Sequence, residues 1–109
     1  MADTLKVLGQ AALAATTLTD VYTVPGATSA TVSSVTVCNR DAAATTFRFA
    51  VAIAGAADAT KQYLYYDFAL PGNETFVFTL GVTLATTDVL RAYAVSANVS
   101  VNIFGVQVA

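Results

Sequence analysis

The stretch Phe47-Arg48-Phe49-Ala50-Val51-Ala52-Ile53-Ala54 decides how this chain is read. Every second side chain, Phe47, Phe49, Val51 and Ile53, is large and apolar, which is the period of a β-strand with one face on a core. The intervening Arg48, Ala50, Ala52 and Ala54 leave the reverse face almost bare. A solvent-facing strand ordinarily carries Thr, Lys or Glu there. The alanine row therefore predicts close cover, supplied either by the chain's own loop or by a neighbouring subunit.

On the C-terminal side, Phe76, Phe78 and Leu80 alternate with Thr75, Val77 and Thr79 in the same way. The segment Tyr63-Leu64-Tyr65-Tyr66-Asp67-Phe68-Ala69-Leu70 breaks the alternation, being large on both faces. It is either covered on both sides or offers Tyr63 and Tyr65 outward, where amphipathic tyrosines suit an interface; the alternative is a pair tucked under a loop. Asp67 falls beside the same two tyrosines. Val32 and Val35 have opposite parity, as do Ile103 and Phe104, which predicts β-bulges at Ser33-Ser34 and at Phe104-Gly105.

Turn-forming residues separate the apolar stretches at Pro25-Gly26, Asn39-Arg40-Asp41, Gly55 with Asp58, Pro71-Gly72-Asn73, Gly81, Thr87-Asp88 and Ser96-Ala97-Asn98. Strands are expected near Leu5–Gln10, Leu18–Val24, Ala30–Cys38, Thr46–Ala54, Gln62–Leu70, Thr75–Leu80, Val89–Val95 and Val99–Val108. Only Ala11–Thr16 and Ala56–Lys61 tolerate helix locally, and both are too short to stand alone. The spacing predicts an all-β fold, an antiparallel β-sandwich or jelly-roll-like domain of about eight strands spanning 1–109. Residues 1–12 form either an arm or an edge strand. The expected core is Phe47, Phe49, Val51, Ile53, Phe76, Phe78, Leu80, Leu90 and Ile103.

Composition narrows the chemistry. The chain is 109 residues long, 56% hydrophobic and only 11% charged, against roughly 25% charged in ordinary soluble domains. That scarcity leaves a lone small domain poorly covered and points to contact with another protein. With net charge −2 and its five cations scattered, the chain lacks the basic stripe that nucleic acid requires. Histidine is absent and Cys38 is the one cysteine, so the usual zinc, haem and Cys-His sites lack their ligands and bases. Cys38 reads as a small buried hydrophobe.

Asp41, Asp58 and Asp88 sit where turns use an acceptor side chain, and Asp20 with Glu74 matches no calcium-loop pattern. The isolated glycines suit turns and bulges, not a phosphate cradle. No catalytic, cofactor or metal site is expected, and the chain reads as non-enzymatic. The N-terminus makes a poor signal peptide, and the uncharged 92–109 stretch is interrupted by Ser96, Asn98, Ser100, Asn102 and Gln107, which argues against a membrane helix.

Asp20-Val-Tyr-Thr-Val-Pro25, Ala30-Thr-Val-Ser-Ser-Val-Thr-Val-Cys-Asn39 and Phe47–Ile53 resemble the small β-sandwich virion proteins of tailed bacteriophages. So do Pro71-Gly-Asn-Glu-Thr75, Leu84-Ala-Thr-Thr-Asp-Val-Leu-Arg-Ala-Tyr93 and Asn98–Val108. The resemblance implies a capsid decoration (cement) protein or a neck- or tail-associated structural protein, made in the host bacterial cytoplasm and carried in the virion. Its partners would be the major capsid protein or other virion proteins, and copies of itself, with a homotrimer as the expected form. The alternative is a fibre- or tail-associated receptor- or glycan-binding module, with Tyr63, Tyr65 and Tyr93 as stacking platforms. Candidate interface residues are Leu5, Val7, Ala50, Ala52, Ala54, Tyr63, Tyr65 and Tyr93.

Overall fold

The alternating segments form the strands that their period demands. In the computed structural model, which describes residues 2–109, they are β1 (Asp3–Ala12), β2 (Thr19–Thr23), β3 (Ser29–Asn39), β4 (Thr45–Ala52), β5 (Tyr63–Leu70), β6 (Thr75–Phe78), β7 (Val82–Leu84), β8 (Val89–Ala94) and β9 (Val99–Val108). The strand not anticipated is β7, three residues long and too short for periodicity to show. Neither alanine-rich segment becomes an α-helix; Ala11 and Ala12 end β1, and a single 3₁₀ turn occupies Thr60–Gln62.

The chain doubles back between β4 and β5, so that β4 pairs β5, β3 pairs β6 and β7, β2 pairs β8, and β1 pairs β9, all antiparallel. This ribbon then wraps on itself, joining β9 to β3 and β8 to β4. The result is a jelly roll of two sheets, a five-stranded one in the order β1-β9-β3-β6 with β7 beside β3, and a four-stranded one in the order β2-β8-β4-β5. The N-terminal segment is an edge strand, registered against β9 from Asp3 to Ala12 and sending Leu8 into the core.

Phe47, Phe49, Leu90 and Ile103 lie in the core as expected, packed among Val35, Val37, Val99, Val101 and Leu70. Val51, Phe76, Phe78 and Leu80 are half-buried against it. Ile53 is not a core residue: it is 74% exposed. Strand β4 stops at Ala52 because Ala54 (φ 54°) and Gly55 (φ 69°) both adopt left-handed backbone, which turns the chain out of the sheet. Asp88 fixes that exit, its carboxylate accepting the N–H of Ala54 and that of Ala85, each at 2.9 Å.

The bulge in β3 is present, with Ser33 the extra residue between Val32↔Gly105 and Ser34↔Phe104. The one expected in β9 is absent. Strand β9 runs unbroken and simply alternates, Ile103 inward and Phe104 outward, while the extra residue lies across the ladder at Leu8, between Val7↔Phe104 and Gly9↔Ile103. Gly105 serves close approach: a Cβ there would stand 2.1 Å from the Thr31 carbonyl oxygen and 2.9 Å from a methyl of Leu8.

Candidate functional site

The outer side of the alanine row is covered by the chain itself. Ala50 and Ala52 are fully buried, and Ala54 lies beyond the strand, exposed in the turn. In register, Ala50 stands opposite Arg91 and Ala52 opposite Val89. Arg91 lies over this ground, its Nη1 donating to the Ala56 carbonyl at 2.7 Å, Nη2 to that of Gly55 at 3.2 Å and Nε to Asp20 at 2.8 Å. The buried amide of Gln62 holds the rest of the loop, donating to the Ala57 carbonyl and accepting from the Ala59 N–H. Small side chains at positions 50 and 52 let this loop lie flat and leave Ala50 and Ala52 no open surface, whereas Ala54 stays exposed in the turn.

Strand β5 redistributes the tyrosines. Phe47↔Phe68 and Phe49↔Tyr65 leave two residues, Tyr66 and Asp67, opposite Arg48, and the next pair, Ala50↔Tyr63, leaves Leu64 extra. Asp67 takes the left-handed conformation, φ 52°, which makes the first bulge. Each bulge reverses parity. Tyr65 and Phe68 consequently both face inward, where they pack edge-to-face with each other and against Phe76 and Phe78. Tyr65 is therefore not the outward contact expected of it.

Outside, the bulges bring together Tyr63, Tyr66 and Arg48, with Tyr93 opposite Arg48 on the next strand. The guanidinium carbon of Arg48 lies 4.0 Å from the Tyr66 ring centre and 4.7 Å from that of Tyr93. Asp67 forks the same guanidinium at 2.7 and 3.4 Å, and this bonding holds the Arg48 pKa above its ordinary value. Tyr63 meets Tyr66 edge-to-face at 5.0 Å. Burial, then the neighbouring Asp58 carboxylate, pushes the Tyr63 phenol upward. Tyr63 and Tyr93 thus belong to this cluster, whereas Arg48 and Tyr66 were not foreseen in it; the aspartate at position 67, a residue type that tolerates left-handed backbone, was the available signal.

The other broad surface is the outer face of the five-stranded sheet. Register places its side chains in rungs: Leu5–Val106–Thr31–Thr83, Val7–Phe104–Ser34, Gln10–Asn102–Thr36–Val77 and Ala12–Ser100–Cys38–Thr75. None of these four rungs carries a charge, but charges bound them: Asp3 stands in the next rung, Asp3–Val108–Ser29, and Arg40 Nε donates to Ser100 Oγ at 2.9 Å at the other end. Leu5 is 83% exposed, Val7 43% and Val77 63%. Leu5, Val7, Phe104 and Val106 fill two adjacent rungs and make one apolar end. The next rung is polar, with Gln10 Nε2 donating to Asn102 Oδ1 at 2.7 Å. Half-buried Cys38 lies on this face, not in the core.

The carboxylates serve structure. Asp41 accepts the N–H of Ala43 and an Asn98 amide N–H, bonds that hold its pKa below the ordinary value. Asp20 pairs with Arg91 and Asp67 with Arg48. Among the described residues, no three or more Cys, Asp or Glu side chains group in a way that could hold a metal ion, and no helix is long and apolar enough to cross a membrane. Compared with known proteins, the chain matches no family model, no curated protein and no solved structure.

Proposed function

We propose that this chain is a non-enzymatic bacteriophage virion protein that decorates the capsid and stabilises the head, seating on it through the outer face of the five-stranded sheet. The observation that carries the reading is that face: four successive uncharged rungs, bounded by Asp3 and Arg40, with an apolar patch at Leu5, Val7, Phe104 and Val106. Exposed apolar area of this kind, unbroken by charge, costs little to desolvate and gains on burial. The resemblance of the strands and turns to small phage sandwich proteins supplies the partner. Binding that favours the assembled shell over its parts raises shell stability by mass action, and repetition over the lattice makes a modest affinity per site effective. Self-association, with three copies as the expected count, rests on the scarcity of charge, 11% of the residues.

Particles stripped of this protein and reloaded with purified chain test the reading. Reloading should raise the temperature or force at which shells break, and Val7→Asp should lower occupancy while the free protein keeps its melting temperature. Shells equally stable with and without the protein would remove the cement role. Light scattering at micromolar concentration gives the number of copies, and a monomer would remove the self-association.

A further inference from the structure

We propose that the outer face of the four-stranded sheet carries a binding site for a neutral oligosaccharide, built on Tyr66 and Tyr63 and rimmed by Thr60, Asp58 and Asp67. It lies on the sheet opposite the face assigned to the capsid and stands independently of that assignment.

Two departures from strand alternation place both tyrosines on one face, and one of them holds Asp67 in a backbone conformation that few side chains adopt. Tyr66 is 58% exposed although its ring is already positioned, with Arg48 over it at 4.0 Å and Asp67 locking Arg48. A large aromatic side chain held in place before a ligand arrives costs little further entropy on binding. Tyr63 stands at 88° to it, and the two rings with Thr60 enclose an open depression of about 490 Å³.

The rim selects the ligand. A sugar ring presents C–H bonds on its face, which suit an aromatic platform, and hydroxyl groups round its edge, which donate to carboxylates and exchange bonds with the Thr60 hydroxyl. Arg48 lies over Tyr66 already paired by Asp67, Asp58 adds a second negative charge beside Tyr63, and the neighbouring Lys61 lines a separate depression with Val51 and Ile53. An anionic ligand would meet a surplus of negative charge. A neutral polyol would not.

Titration of the free protein with maltohexaose, cellohexaose and laminarihexaose, followed by two-dimensional NMR and accompanied by a glycan array, tests the site. At least one neutral glycan should bind saturably, with shifts centred on Thr60, Tyr63 and Tyr66. Tyr66→Ala should weaken binding by about tenfold or more, and inward-facing Tyr65→Phe should leave it unchanged. No saturable binding up to about 10 mM, preference for sialylated or sulfated glycans, or full affinity in Tyr66→Ala would each overturn the proposal.

Discussion

Arg48 Nε donates to Asp67 Oδ1 at 2.7 Å across a bulge in which Asp67 holds φ at 52°. The pair joins β4 to β5 on the outside of the four-stranded sheet while Phe47 and Phe49, on either side of Arg48, fill the inside. Left-handed backbone costs an L residue about 1–2 kcal/mol, least for Asp and Asn, whose short side chains bond locally.

Asp67→Val should therefore destabilise the fold by about 2 kcal/mol. Asp67→Asn, which keeps the tolerated backbone and loses an ion pair exposed to solvent, should cost less than about 1 kcal/mol. Urea denaturation of both variants measures the difference; equal losses would show that the pair, not the backbone, sets the position.

Core and turn separate along one strand. Phe49→Ala should destabilise by about 3–5 kcal/mol, whereas Ile53→Ala should stay within about 0.5 kcal/mol. Denaturation midpoints compare the two, and a large loss at Ile53 would mean that another chain buries it.

Ala52 is sealed beneath the loop that leaves β4. Ala52→Glu should cost at least about 3 kcal/mol by forcing a carboxylate under that loop or the loop off the sheet. The readout is the melting temperature of the free chain. A variant that melts normally but changes its oligomeric state would restore the neighbouring-subunit explanation.

Deleting residues through Gln10 should abolish cooperative folding, because it removes Leu8 from the core and strips β9 of its partner. A truncated protein that still melts cooperatively would make β1 dispensable. Thermal melting of the truncated chain alone decides between them.

The raised Tyr63 pKa gives alkaline stability a sign. The folded chain holds this proton more tightly than the unfolded chain, so its contribution is complete below the ordinary tyrosine value of about 10 and is lost as pH rises through the higher folded value. Stability followed from about pH 9 to 12 should decline less in Tyr63→Phe than in the wild type. An identical decline would exclude Tyr63 as its source.

The sequence alone determined the all-β class, most strand positions and the aromatic core, because period-two alternation and turn residues are local properties of the chain. It also marked Leu5 and Val7 as surface candidates and predicted cover over the alanine row, which holds at Ala50 and Ala52 and not at Ala54, without naming the cover. Tertiary structure decided what crosses between strands. Each bulge moves every later side chain to the other face, so the sides of Tyr65 and Tyr66 depended on where Asp67 and Leu64 fell against β4, and no periodicity within β5 contains that register. The cover over Ala50 and Ala52 came from Arg91, 41 and 39 positions away in sequence, reaching the carbonyls of Gly55 and Ala56. The uncharged rungs between Asp3 and Arg40 likewise arose only when wrapping set β1, β9, β3 and β6 side by side, because residues distant along the chain become one surface only through the pairing of their backbones.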